Sequence, residues 1–254
     1  MGASTRPATE FRLSRHLRFA IPGIDGILPH AGETMMNRRR FLPLLGASIV
    51  PQRPLLGAGG TLPFTTVFRG RQQFDSIIRK ALRENWAGLP IGERMIKAGR
   101  ELHGAPYKNF TLEIDDKIEA PSANLAGLDC WTFFEICLGI GRMLGWSPPR
   151  TRPRDLLREI EFTRYRGGVC HGNYLDRIHY LAEWYFENDA RGVAADITRK
   201  LGGSRAVQNR KVSEMTTLWK HYRYLKHSPS LVPQMARHER RVEEVRVGHR
   251  TLLE

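Results

Sequence analysis

Apolar side chains recur at helical spacing in several stretches of the chain. Over residues 71–84, Phe74, Ile77, Ile78 and Leu82 fall on one side, which predicts an amphipathic helix. A turn at Trp86 to Pro90 leads into a second such segment, Ile91 to Leu102. From Trp131 to Leu144 the apolar set Phe133, Phe134, Cys137, Leu138, Ile140 and Leu144 marks a central helix, which Gly145-Trp146-Ser147-Pro148-Pro149 stops. Pro153 opens another helix that runs through about Thr163. Phe110 to Ile114 reads as strand-like. Gly167-Gly168 turns the chain into Tyr174 to Phe186, a stretch rich in aromatic and aliphatic residues that periodicity alone leaves open between strand and helix; its length favours extended structure for part of it. From Glu214 onward the pattern is helical again, broken near Ser228-Pro229. The sum is a predominantly helical α+β chain with a small antiparallel sheet and no internal repeat.

The chemistry concentrates at Asp129-Cys130, where a thiol meets the start of the central helix. Unpaired backbone N–H groups at such a terminus favour an anion, so this is a position where a cysteine can serve as a nucleophile. A cysteine packed as a small hydrophobe is the plainer reading of any lone thiol. Cys137, two turns further on, fits that reading. Cys170 and His171 are adjacent, but neighbours in an extended piece point opposite ways and do not readily meet. Three cysteines without Cys-x-x-Cys spacing signal neither a disulfide framework nor a zinc site.

The order of motifs carries more than any one of them. Gly104-Ala105-Pro106-Tyr107 follows the Ile91 to Leu102 segment and precedes the strand-like piece, and Asp129-Cys130 comes about two dozen residues later. Beyond the cysteine stand Phe162 to Gly168, Tyr174 to Tyr180, Glu183-Trp184 and Asp196 to Gly203. Over roughly residues 71–235 this order resembles the N-acetylmuramoyl-L-alanine amidase-like domain family, an NlpC-type branch of the papain-like cysteine hydrolases of bacterial cell walls. The resemblance implies a papain-like fold, helices packed on a small antiparallel sheet, and cysteine-dependent cleavage of an amide bond in peptidoglycan stem peptides, by an amidase or an endopeptidase. It implies Cys130 as nucleophile, Tyr107 near the mouth of the peptide cleft and Asp129 at the helix start. His179 is the histidine of the best-matched block. If its segment is a strand, Glu183 lies on the same face and can hold the imidazole in one tautomer. Arg166 and Arg177 are candidates for substrate carboxylates. No metal or organic cofactor is implied; the partner is peptidoglycan or a muropeptide.

The end of the chain departs from the family pattern, which continues into strands carrying a His-Val-Gly motif. Val247-Gly248-His249 reverses that order, so the domain over 61–254 is expected to be incomplete at its C-terminus. Either His179 then serves as the base, or the chain is a vestigial wall-binding domain without one.

Composition refines this picture only a little. The chain has 254 residues with 41% hydrophobic content, and no run approaches the roughly 20 apolar residues of a membrane span. A formal charge of +14 invites a nucleic-acid reading, but the basic residues are spread along the chain and no nucleic-acid motif accompanies them, so no specific nucleic acid is expected. Met36 to Val50, with Arg38-Arg39-Arg40-Phe41-Leu42 ahead of a short apolar run, looks like a twin-arginine export signal ending near Gly57 to Gly60. Residues 36–60 are therefore expected to be a signal, 1–35 a non-native or disordered extension ahead of it, and the mature domain to work in the periplasm or cell envelope.

Overall fold

The computed structural model of the chain describes residues 62–195, 197 and 211–249. The expected extension and export signal, most of the Asp196 to Gly203 block and the last residues of the chain lie outside the described residues.

The predicted helices form close to their expected bounds. A short helix α1 (Phe64–Val67) and strand β1 (Phe68–Arg69) lead into α2 (Arg71–Arg83) and α3 (Ile91–Glu101). After a long irregular stretch come β2 (Ala123–Asn124), α4 (Cys130–Leu144) and α5 (Pro153–Arg164). The central helix α4 is apolar almost all round because α3 packs on one side of it and α5 on another. Glycine makes the second approach possible. A Cβ at Gly139 would stand 2.6 Å from Cδ1 of Leu156, so the absent side chain leaves the space that the Leu156 methyl of α5 fills. Phe74, Trp86, Leu125, Ile136, Ile140, Met143, Leu144 and Ile160 are among the side chains that fill the resulting core.

Polar ties lock the same helices. The Arg164 guanidinium, fully inside, donates to both oxygens of buried Glu135 at 2.8–3.2 Å and to the Ser122 carbonyl at 3.1 Å, joining α5 to α4 and to the residue before β2. Removing one member of such a pair strands a charge and costs about 3–5 kcal/mol.

The chain then continues through a 3-10 turn at Tyr174–Asp176, helix α6 (Leu181–Ala190), and α7 (Glu214–Thr217), α8 (Arg223–His227) and α9 (Val232–His249). Tyr174, Leu175, Met215, Tyr224, Leu225 and Met235 form a second buried cluster there. A smaller one, Leu138, Ile178 and Trp184 with Trp131 and Phe134 against it, bridges α4 and α6.

Three expectations need correction. The small sheet is parallel: β1 pairs with β2 in the register Phe68 to Ala123 and Arg69 to Asn124, with α2 and α3 in the crossover that a parallel pair requires. Antiparallel pairing among the described residues is confined to one isolated bridge, Tyr165 to Arg177. Phe110 to Ile114 is a series of turns with Phe110 at φ 57°, a left-handed conformation foreign to a strand. Two of its carbonyls are taken by arginines, Leu112 O by Arg177 and Glu113 O by Arg223, and Phe110 O accepts from the Glu113 N–H within the turn. Finally, Tyr174 to Phe186 is extended in part, as expected, but α6 begins at Leu181, so Glu183 sits in the first turn of a helix and not on a strand with His179.

Candidate active site

Helix α4 begins at Cys130, and the reason is local. Asp129 is the N-cap: its carboxylate accepts from the Thr132 N–H at 2.7 Å, while the Thr132 hydroxyl accepts from the Asp129 N–H at 3.1 Å, a reciprocal capping box. The Thr111 hydroxyl donates to the second carboxylate oxygen at 2.6 Å, so the turn at residues 110–114 braces the cap. Of the N–H groups in the first turn, that of Thr132 goes to the Asp129 side chain and that of Phe133 to the Asp129 carbonyl. Among the described residues, no acceptor meets the N–H of Cys130 or Trp131. The helix thus presents an exposed thiol beside two unspent backbone donors.

The other thiols differ from Cys130. Cys137 and Cys170 are buried, and burial pushes each up to about 12. They are inert at neutral pH.

Cys130 opens on a cleft of about 920 Å³ walled by α4, the turn at residues 110–113, the segment 174–181, Trp184 and the 214–222 stretch. Aromatic and aliphatic side chains dominate its lining, among them Phe110, Trp131, Tyr180, Leu181, Trp184, Leu218 and Tyr222. His179 lines the same cleft. Its Nε2 lies 3.0 Å from the Tyr174 carbonyl, an acceptor only, so Nε2 carries the proton and Nδ1 holds the lone pair. The ring is half-buried and packs at 4.5 Å centroid distance against Tyr174. Burial, reinforced by the Arg177 and Arg166 charges, holds its pKa well below 6.5, which keeps the imidazole neutral.

Glu183 does not orient that imidazole. It lies in α6, one helical turn into the element, where its carboxylate grips Arg166 through two hydrogen bonds of 2.5 and 2.6 Å. The remaining Arg166 nitrogen donates to the carbonyls of Leu175 and Arg177, the latter at 2.9 Å. The strand geometry expected to align Glu183 with His179 is absent because helix α6 starts between them. What the carboxylate does hold, through Arg166, is the backbone on either side of the His179 loop.

Arg177 is likewise occupied. It is 3% exposed, donates to Leu112 O at 3.0 Å and lies 3.6 and 3.8 Å from the carboxylates of Glu113 and Glu119. Neither arginine therefore offers an unpaired charge to a substrate. Tyr107 is 70% exposed and stands outside the cleft lining, but its backbone bridges Leu128, directly before Asp129-Cys130. His221, exposed and in the cleft wall, is a second imidazole that no sequence pattern singled out; its place depends on how the 214–222 stretch packs against the 174–181 segment.

Residues 97–250 match the family model described as N-acetylmuramoyl-L-alanine amidase-like. Two solved structures of an N-acetylmuramoyl-L-alanine amidase from Bacteroides uniformis superpose with TM-scores of 0.52 and 0.53 at 26% and 25% identity, covering 60% and 59% of this chain and 61% and 62% of those. A Bacteroides fragilis protein described as a putative xylanase superposes with TM-score 0.50 at 31% identity, over 57% of this chain and 60% of that one. The chain thus spans about three fifths of the solved structures it matches. No curated protein matches it.

Proposed function

The chain belongs to the N-acetylmuramoyl-L-alanine amidase-like family, and on that premise we propose that it hydrolyses an amide bond of peptidoglycan stem peptides through Cys130, in a papain-like arrangement. The observation that carries the reading is the exposed Cys130 thiol at the first position of α4, in one cleft with a neutral histidine. In this reading the Cys130 sulfur attacks the amide carbonyl carbon as Nδ1 of His179 takes its proton. The oxyanion is received by the N–H groups of Cys130 and Trp131, a kind of contact worth about 3 kcal/mol per donor. Collapse expels the amine, which takes the proton back from the imidazolium. The same nitrogen then draws a proton from water, which attacks the thioester; collapse releases the carboxylic acid and the Cys130 sulfur, which takes that proton from the imidazolium.

The apolar cleft suits this chemistry because excluding water strengthens the oxyanion contacts. The substrate lies outside the cytoplasm, so the reading places the protein in the periplasm or cell envelope, delivered by the signal at residues 36–60. Among the described residues no helix is long and apolar enough to cross a membrane.

One observation favours a second assignment of the base: His221 also faces the cleft and is exposed. The test is release of peptide from purified muropeptides by the parent, Cys130→Ala, His179→Ala and His221→Ala proteins. The expected outcome is loss of turnover in the first two variants, with folding retained, and near-parent turnover in the third. Parent-like turnover in Cys130→Ala overturns the nucleophile. Intact His179→Ala with a dead His221→Ala moves the base. A parent that binds muropeptides and releases nothing is a wall-binding domain instead.

A further inference from the structure

A second pocket, of about 220 Å³, lies across the 110–113 turn from the main cleft and shares Phe110 and Glu113 with it. Its character is different. Arg69, Lys108 and Arg223 all line it, together with Thr66, Thr111 and Asn124. The charges do not cancel within it. Arg223 is paired with Asp116 and donates to Glu113 O, and the Glu113 carboxylate is engaged by Tyr174 and Arg177. Arg69 and Lys108, both exposed, have no ion-pair or side-chain hydrogen-bond partner among the described residues. Asn124 uses its carbonyl oxygen to accept from Ala126 N–H at 3.1 Å, which leaves its amide hydrogens as donors at the pocket wall. The pocket is therefore an assembly of spare cationic and neutral donors in a concave site, the complement of an anionic oxygen group.

It is also mechanically joined to the nucleophile. Thr111 in its wall donates to Asp129, the cap of Cys130, and the Lys108 N–H donates to Leu128 O at 2.9 Å. We propose that this pocket is a carboxylate subsite: while the scissile amide lies over Cys130, a free carboxylate of the same substrate peptide is held between Arg69 and Lys108. The proposal rests on the muropeptide reading, since stem peptides carry free carboxylates. It names the part of the substrate that the apolar cleft cannot recognise.

The test is equilibrium binding to Cys130→Ala protein of a muropeptide with its peptide carboxylates free, and of the same compound with them amidated, repeated with Arg69→Gln and Lys108→Gln added. Both lysine and arginine are exposed, and circular dichroism checks the fold. The expected result is tighter binding of the free carboxylate by about tenfold or more, the size of one charge-assisted contact, and loss of that preference in the added variants. No preference, no binding, or a preference that survives both substitutions overturns the subsite. The two readings separate cleanly. A preference that depends on Arg69 and Lys108 in a protein whose parent form cleaves nothing keeps the subsite and removes the hydrolase. Hydrolysis with no such preference does the reverse.

Discussion

Cys130 is set apart from the other two cysteines by position alone. All three are small apolar side chains, but Cys130 stands at the first position of α4 with Asp129 capping beneath it, and it is exposed where the others are buried. That much was legible in the sequence, because an N-cap aspartate followed by a helical apolar pattern fixes where the helix starts. The partner of His179 was not. Its expected alignment with Glu183 assumed a period of two, and the intervening helix start replaced that with a helical turn. The tautomer is instead set by a backbone carbonyl, which no side-chain pattern encodes. A residue-scale consequence follows for pH. His179 is held below 6.5 in the folded chain but titrates near 6.5 when unfolded. Between those values the unfolded state binds the extra proton, so stability rises with pH up to about 6.5 and falls below it, by at most about 1.4 kcal/mol per pH unit. Thermal unfolding across this window should show a flatter pH dependence in His179→Gln than in the parent. Equal slopes would mean that the imidazole is not held neutral. The same shift places the acidic limb of hydrolysis below pH 6.5 if His179 is the base.

At the scale of elements, the helices were legible and the connections were not. The Arg71–Arg83, Ile91–Glu101, Cys130–Leu144 and Pro153–Arg164 helices follow the apolar spacing to within a residue or two, since burial of one face is what makes each of them stable. Residues 110–114 failed as a strand because their fold is decided by distant partners: Asp129 for the Thr111 hydroxyl, Arg177 and Arg223 for the carbonyls. The Arg166–Glu183 pair belongs to the same class. It joins α6 to the carbonyls of Leu175 and Arg177 and so fixes the loop that carries His179. Both groups are largely buried, with side chains 13% and 1% exposed. Glu183→Gln should therefore cost about 3 kcal/mol in chemical denaturation, and should lower kcat more than it changes KM, because it loosens the loop without touching the substrate. A variant with parent stability and kcat would show that the clamp positions nothing.

For the whole molecule, the cleft lies where separate clusters meet: one around α4, one around Tyr174 and Tyr224, and the Trp131, Phe134 and Trp184 group between them. Such a site is not visible in any single segment, which is why His221 and the cationic pocket had no sequence signal while Cys130 did. The high net charge also changes meaning in three dimensions. Arg164, Arg166, Arg177 and Arg223 each meet a carboxylate, and Arg158 meets Asp155, so much of the arginine in the described residues serves internal pairs. Arg69 and Lys108 remain as cations without a partner among the described residues, beside the site. In the proposed hydrolysis, one thiol of three does the chemistry. Titration of the active protein with iodoacetamide at neutral pH decides this, with residual muropeptide hydrolysis followed against labelling at each cysteine by mass spectrometry. Cys137 and Cys170, buried and pushed up to about 12, should stay unlabelled while activity falls in proportion to the labelled fraction of Cys130. Full labelling of Cys130 with hydrolysis undiminished would rule out Cys130 as the nucleophile.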